Sequence, residues 1–308
     1  MMKRFIKFIA IGALVSLITA GCTKNYYENT DNDRQEIVLS SRVTLAGQPR
    51  LQELEIVPGQ SLSFFVTRAA AISSVLYSNV SITANNDSGF NYAELMYYPA
   101  DGSDVDFYAI HPYAQSASLS NPLTFQVSAN QSIQSNYLNS DLLYTGKKDV
   151  KRTADKVELV FSHKLSRLNF TIKTQDLDLA GLNGVTVLTV LPETTIDITN
   201  GSIAAASGTP TNIRAYGVAG SPVERAEVSG ISAIIIPQQI PANTPLFEIS
   251  IGTTTYIYRT PSSGDLLTFT EGNQYNLELT ITQTGITLIS RIEPWGDGGT
   301  IGGGADPV

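Results

Sequence analysis

The feature that most constrains the fold of this chain is an alternation of apolar and polar residues with a period of two. The run Tyr275–Thr282 (YNLELTIT) alternates strictly, and Gln283-Thr-Gly285 separates it from a return segment at 286–292. Successive side chains of a β-strand point to opposite faces of a sheet, so this pattern predicts a hairpin with one buried face. No long segment keeps a 3.6-residue apolar period. The sequence therefore predicts an all-β fold, with helix only as isolated turns near residues 130–142.

The segment Val157–Lys173 (VELVFSHKLSRLNFTIK) marks a candidate boundary within this fold. Its apolar residues occupy odd positions up to Leu165 and even positions from Leu168 onward. A β-bulge produces such a change of buried face, and so does a strand that leaves one sheet for another. Short strands separated by turns are typical of β-sandwiches. We therefore expect a tether at 22–36, an N-terminal β-sandwich at 37–155, a C-terminal β-sandwich at 156–298 and a Gly-rich tail at 299–308.

The composition argues against several classes of protein. Lys and Arg number 20 against 28 Asp and Glu, for a net charge of −8, and an acidic chain repels the phosphates of nucleic acids. Charged residues are 16% and apolar residues 42% of the chain, which excludes intrinsic disorder over most of its length. One Cys and two His allow no intrachain disulfide and too few ligands for a zinc site. We expect no metal, no cofactor and no nucleic-acid partner.

The first 21 residues have the pattern of a signal peptide. Met1–Lys7 is basic, and Phe8–Ile18 is an apolar run of eleven residues, which as a helix rises about 16 Å, roughly half of a bilayer core. The run ends at Thr19-Ala-Gly-Cys22, which resembles the lipobox of bacterial lipoproteins. That resemblance implies diacylglycerol on the Cys22 thiol, cleavage just before it and firm anchoring in a membrane. The alternative is an ordinary secretory peptide followed by an unrelated cysteine.

Residues that could carry catalysis are few. The chain contains no Gly-x-Ser-x-Gly motif. His163 is in phase with the apolar residues of its strand, which predicts a hydrogen-bonded histidine at the edge of the core rather than a catalytic base. Asp101, Asp104 and Asp106 lack the spacing of a calcium loop and are interpreted as a solvated turn. We therefore expect no enzymatic activity.

One region is rich in aromatic side chains, which leaves two interpretations open. The residues are Tyr92, Tyr97, Tyr98, Phe107, Tyr108 and Tyr113. They either pack the core of the first sandwich, which we favour, or lie exposed and stack on sugars. In the second case the protein would be a surface lipoprotein that binds glycans.

Several segments, in this order, resemble the fimbrillin family, the lipoprotein-derived (type V) pilins of Gram-negative anaerobes. The matching stretches are Met96–Gly102 (MYYPADG), Val105–Tyr113 (VDFYAIHPY), Asn139–Tyr144 (NSDLLY), 157–172 with its LVFSHKL core, and Gly272–Tyr275 through Ile292–Gly298. The resemblance implies two transthyretin-like β-sandwiches in a structural or adhesive subunit of a cell-surface pilus. Its partners would be other pilus subunits, the outer membrane through a lipid anchor, and a host or bacterial surface ligand.

The resemblance also implies maturation by proteolysis and assembly by strand exchange. In such pilins a protease with a preference for Arg removes an N-terminal segment with the first strand, and a strand of the next subunit fills the vacated groove. The first strand here would be Ile37–Leu45, and the following loop makes Arg50 the best cleavage candidate, with Arg42 and Arg68 as rivals. The Gly-rich tail is a poor strand to donate. This favours a tip, accessory or anchor subunit over a stalk subunit.

Overall fold

The N-terminal half of the fold is built almost entirely of strands. The computed structural model describes residues 34–43, 56–218, 226–262, 266–283 and 285–295. Its first elements are β1 (Leu39–Val43), β2 (Ser61–Arg68), β3 (Ala71–Ala84), β4 (Phe90–Tyr92), β5 (Val105–His111), β6 (Leu123–Gln126), α1 (Gln134–Asn139), β7 (Leu143–Val150) and β8 (Val157–His163). The predicted all-β fold is confirmed, and the expected helical turn is the short α1.

Seven of these strands form one sheet in the order β1-β8-β7-β5-β2-β3-β4. β1 pairs with β8 in parallel, and the other pairs are antiparallel. The two end strands meet, because Ser40 of β1 forms a bridge with Gly89, which directly precedes β4. The sheet therefore curls around an apolar interior. We call this interior the first core, and it contains Leu39, Phe64, Phe107 and Phe161.

The central strands β2 and β5 are buried on both faces. Phe64 and Phe107 point into the first core, whereas their neighbours Phe65 and Tyr108 belong to a second apolar cluster, the second core. Because side chains of a strand alternate between faces, a strand between two cores reads as a nearly continuous apolar run. The centres of the two strands have this character, at Phe64–Val66 and Phe107–Ile110, and both strands are almost fully buried.

The remaining strands enclose the second core. They are β9 (Ser166–Thr174), β10 (Leu182–Val190), β11 (Glu193–Asp197), β12 (Ser202–Ile203), β13 (Thr211–Arg214), β14 (Glu227–Ile235), β15 (Gln239–Ile240), β16 (Pro245–Ile251), β17 (Thr254–Arg259), β18 (Leu267–Thr268), β19 (Asn273–Thr282) and β20 (Gly285–Pro294). Two four-stranded sheets, β13-β10-β16-β17 and β14-β9-β19-β20, supply most of it. Phe170 of β9 meets Phe247 of β16 edge to face, with ring centroids 5.2 Å apart.

The change of buried face at Ser166-Arg167 coincides with a change of sheet. β8 belongs to the seven-stranded sheet and β9 to a four-stranded sheet. β8 thus joins the N-terminal strands although it follows the expected boundary at residue 155, and β6 pairs with β11, which follows that boundary. Gln35, at the end of the expected tether, accepts a hydrogen bond from the backbone of Tyr98. The division into two sandwich domains stays a prediction.

Two local strand predictions differ from the structure. The alternation over Ser78–Thr83 predicts a strand that starts at Ser78, whereas β3 begins seven residues earlier, at Ala71. The sequence also predicts a strand over Leu51–Val57. Residues 51–55 lie outside the described residues, and Ile56 and Val57 are not in a strand. No helix in the described parts of the chain is long and apolar enough to span a bilayer.

Candidate functional site

The candidate site is the groove that holds β1 at the end of the seven-stranded sheet. One edge of β1 pairs with β8, and the N–H of Val157 donates to the carbonyl of Val38 at 2.7 Å. On the opposite edge, the N–H of Ser41 donates to the carbonyl of Ser88 at 2.8 Å. The N–H of Ile37, just before β1, donates to Met96 at 2.8 Å. The segment is therefore hydrogen-bonded along both edges.

The side chains of this segment complete the first core. Ile37, Leu39 and Val43 are at most 4% exposed and lie on one face, with Ser41 between the last two at 7%. Burial of a Val, Leu or Ile side chain stabilises a fold by about 1.5–3 kcal/mol. Without this segment the groove would expose apolar side chains together with unpaired backbone groups on two sides. Only another extended strand could both cover these apolar side chains and pair with these backbone groups.

Polar contacts at the two ends of the segment are partly exposed. Arg42 Nη2 lies 3.3 Å from Glu158 Oε2, with both side chains more than one-third exposed, so the pair stabilises the strand by at most about 1 kcal/mol. The hydroxyl of Tyr92 donates to the carbonyl of Ile37 at 3.0 Å. Burial, followed by the nearby Glu36 carboxylate, raises the pKa of Tyr92. Tyr92 therefore stays neutral and keeps its hydrogen bond across the physiological pH range.

The predicted modification residues have different positions relative to this groove. Cys22 and Arg50 lie outside the described residues. Arg42 is within β1, opposite Val160 of β8. Arg68 ends β2, where Nη1 lies 2.7 Å from Asp101 Oδ2 and also contacts the Ser103 hydroxyl. Arg42 and Arg68, the two cleavage candidates that the structure describes, are thus in paired strands.

A cavity of about 190 Å³ lies where β1 and β8 end. His163 Nδ1, on its wall, lies 2.8 Å from Asp141 Oδ1, and the His163 ring stacks on Trp295 with centroids 3.9 Å apart. His111 lines the same cavity, with Nδ1 2.8 Å from the Asp141 carbonyl and Nε2 3.1 Å from Gln60 Oε1. Sequence reasoning anticipated a hydrogen bond for His163 but missed Asp141 and Trp295, because neither lies in a motif that links them to it.

The aromatic and acidic clusters divide between core and surface. Tyr98, Phe107 and Tyr108 are buried, whereas Tyr113 is 38% exposed. The half-buried Tyr97 ring has the Arg34 guanidinium 5.9 Å from its centroid. These positions favour the interpretation that most of the rings pack the core.

The interpretation of the acidic cluster as a solvated turn is wrong for Asp106, which is 3% exposed within β5. Hydrogen bonds from Ser103, assisted by Arg68, lower the pKa of Asp101 to about 2. The buried Asp106 accepts hydrogen bonds from the backbone of Ala70 and Asp149. No group of three or more potential metal ligands occurs among the residues that the structure describes.

Comparison with known proteins identifies the family. A sequence model of the fimbrillin-like family matches residues 59–295. A protein of Bacteroides uniformis named as a candidate fimbrium subunit, Fim1C, is 31% identical over 239 residues, which cover 73% of each chain. The fold and these matches define a structural or adhesive subunit of a cell-surface pilus, which assembles with other pilus subunits. The chain belongs to the fimbrillin-like family, and the resemblance seen in its sequence is confirmed.

Two solved structures show the same fold. One is a candidate cell adhesion protein from Bacteroides uniformis, with a TM-score of 0.64 and 22% identity over 85% of this chain and 99% of that chain. The other is a candidate cell adhesion protein from Bacteroides ovatus, with a TM-score of 0.65 and 17% identity over 85% of this chain and 98% of that chain. At these identities the likeness concerns the fold alone.

Proposed function

We propose that the subunit is exported as a lipoprotein, anchored in the outer membrane through acylated Cys22, and assembled by replacement of β1 with a strand of another subunit. The position of β1 is the observation that supports strand replacement. It is the first described strand of the chain, it lies at the end of a sheet, and both its edges and one face are engaged. Its removal leaves a groove complementary to a strand, which is the condition for strand addition.

One-way strand addition between subunits produces a filament. Each subunit offers one groove and inserts into a different surface of its neighbour, so the contact is head-to-tail and does not close into a ring. The segment 296–308 is rich in Gly, and Gly lowers strand propensity. We therefore propose a tip, accessory or anchor position for this subunit rather than a stalk position.

Arg50 is the proposed cleavage site. A protease binds its substrate as an extended, accessible segment, and loops provide such segments more readily than paired strands. Arg42 and Arg68 both lie within paired strands, which disfavours them. A cut after Arg50 would release the lipid-bearing segment together with β1.

We also propose that the subunit has no catalytic activity and no metal or cofactor. Support comes from the two histidines, whose rings are engaged in the protein interior by Asp141, Gln60 and Trp295. The pilus would instead present a surface that adheres to a host or bacterial ligand.

Identification of the N-terminus on the cell surface tests these proposals. Cells are grown with an alkyne-tagged palmitate, and surface protein is mapped by mass spectrometry for the native chain and for Arg50→Gln, Arg42→Gln and Cys22→Ala. We expect the native chain and Arg42→Gln to start at Leu51 without label, and Arg50→Gln to start at labelled Cys22. A native chain recovered only as labelled Cys22 would refute cleavage. Label that persists in Cys22→Ala would refute the lipid anchor.

A further inference from the structure

The strand β20 ends its sheet with an edge that no other strand of the described chain covers. It is the last strand in the order β14-β9-β19-β20, and β17 comes near it without pairing with it. The stretch Ile289–Ile292 is exposed, with the two isoleucines at 63% and 61%. Ile292 lies opposite Tyr275 of β19, which is only 1% exposed. Ile292 is therefore exposed because the sheet stops at β20, and a further strand would cover it.

The backbone groups on this free edge follow from the pairing of β20 with β19. The N–H of Trp295 donates to the carbonyl of Gly272 at 2.7 Å, and the register continues without a bulge along β20. In an antiparallel pair, hydrogen-bonded positions alternate with positions that are not hydrogen-bonded. Ser290 and Ile292 therefore direct their N–H and C=O groups away from β19. Pro294 has the same orientation but no N–H, so the donors of the free edge end at Ile292.

The charges that flank Ile292 are complementary to themselves in an antiparallel arrangement. Arg291 and Glu293 lie on the outer face of the sheet, where the Asn276 amide donates to Glu293 Oε2 at 3.0 Å. If two copies of β20 pair about Ile292, each Arg291 lies opposite Glu293 of the second copy. These two positions are then not hydrogen-bonded, so their side chains approach most closely. Opposite charges at directly opposed positions stabilise a strand pair.

The neighbouring registers of such a pair are less favourable. A slide of one residue brings outward backbone groups opposite groups that already bond β19. A slide of two residues in either direction brings Arg291 opposite Arg291 of the second copy, or Glu293 opposite Glu293 of the second copy. Like charges at opposed positions destabilise a strand pair. The charge pattern thus matches a second copy of this chain, in the one register that is centred on Ile292.

We infer that the free edge of β20 is a docking surface for a second copy of this chain, which pairs antiparallel about Ile292 in a two-fold symmetric dimer. The two four-stranded sheets then become one continuous sheet, and each Ile292 is covered by the other. Both copies use the same surface, so the contact closes after two subunits. It differs in this respect from the head-to-tail strand replacement at β1 and does not depend on it.

Analytical ultracentrifugation of the full-length chain with Cys22→Ala, without protease treatment, tests this dimer. The substitution removes the single cysteine, so disulfide-linked dimers cannot form. We expect a reversible dimer at about 10–100 μM, as suits a small interface. Arg291→Glu alone and Glu293→Arg alone should each weaken it by at least about tenfold, because each sets like charges opposite one another.

A mixture of the two variants provides the decisive comparison. The two acidic residues of one variant then face the two basic residues of the other, so the mixture should dimerise as the native chain does. Lys151→Glu makes the same change of charge in the exposed loop after β7 and should leave the dimer intact. A mixture that stays monomeric while both variants keep the native circular dichroism would overturn the register. A native chain that stays monomeric at about 100 μM would overturn the dimer and leave the edge to a strand of another protein.

Amide hydrogen exchange tests the same pairing without either charge variant. The N–H groups of Ser290 and Ile292 should exchange at least about tenfold more slowly where the dimer predominates than in dilute monomer, because they become hydrogen-bonded only in the dimer. The N–H groups of Arg291 and Glu293 bond β19 in both states and should not change. A dimer in which Ser290 and Ile292 exchange as fast as in the monomer would overturn β20 as the interface.

Discussion

At the scale of single residues, His111 at the end of β5 shows how burial and hydrogen bonding determine the protonation state that the fold favours. His111 is 3% exposed, and its two ring nitrogens bond Asp141 and Gln60. Burial lowers the pKa of His111, an effect that the Asp141 carbonyl and carboxylate oppose and that His163 reinforces. The folded state therefore binds a proton at His111 less readily than the unfolded state does.

This shift predicts that acidification destabilises the protein. As pH falls below about 6.5, the ordinary pKa of His, the unfolded chain takes up a proton that folded His111 resists, so the free energy of unfolding decreases. One such histidine contributes a slope of at most about 1.4 kcal/mol per pH unit. Urea unfolding between pH 7.5 and 5.5 should show a shallower slope for His111→Gln than for the native chain. Identical slopes would show that His111 is not the responsible group.

The polar residues around the cavity also show where sequence reasoning stops. His163 could be placed at the edge of the core, because it shares the phase of Leu159 and Phe161 in β8. Asp141 and Trp295 could not be assigned to it, since they are distant in sequence and the contact depends on how β7, β8 and β20 meet. A pairing between separate strands leaves no local periodicity in the sequence.

At the scale of elements, the period-two pattern identifies strands wherever one face is buried and the other is not. β9 alternates without exception over Ser166–Thr174, and β19 does so over most of its length. The pattern was uninformative for the first half of β3, where Ile72 and Val75 are at least 40% exposed, because an exposed strand has no buried face to mark. The pairing of β6 with β11 could not be predicted either, since strand partners are chosen in three dimensions.

The burial of β1 predicts a difference between two adjacent truncations. Leu39 is 2% exposed within the first core, whereas Val38 is only half-buried and does not belong to that core. Leu39→Ala should lower the free energy of unfolding of the full chain by about 2–4 kcal/mol. Val38→Ala should lower it by less than about 1 kcal/mol. The measurement is urea denaturation at pH 7.5, and equal losses in the two variants would contradict the position assigned to β1.

At the scale of the whole molecule, one curled sheet serves two apolar cores. β2 and β5 direct Phe64 and Phe107 into the first core and Phe65 and Tyr108 into the second. The sequence was sufficient to infer the all-β class, the hairpin of β19 and β20, and the membership of the fimbrillin-like family. The sharing of these strands between cores could not be inferred, because a continuous apolar run does not reveal what lies on each side of it.

Strand replacement requires that β1 leave its groove, which a reversible covalent lock tests directly. Ser40 and Glu158 are in register on neighbouring strands, and adjacent strands lie about 4.8 Å apart, within the Cα separation that a disulfide spans. Ser40→Cys with Glu158→Cys, in a Cys22→Ala background, should therefore join β1 to β8. Glu158→Cys alone in the same background controls for loss of the Arg42 ion pair.

Polymer formation after treatment with an arginine-specific protease is the decisive measurement. We predict that the oxidised double variant retains its N-terminal segment and stays monomeric, and that the reduced double variant and the single variant polymerise as the native chain does. An oxidised, locked chain that polymerises as well as the reduced one would contradict strand replacement.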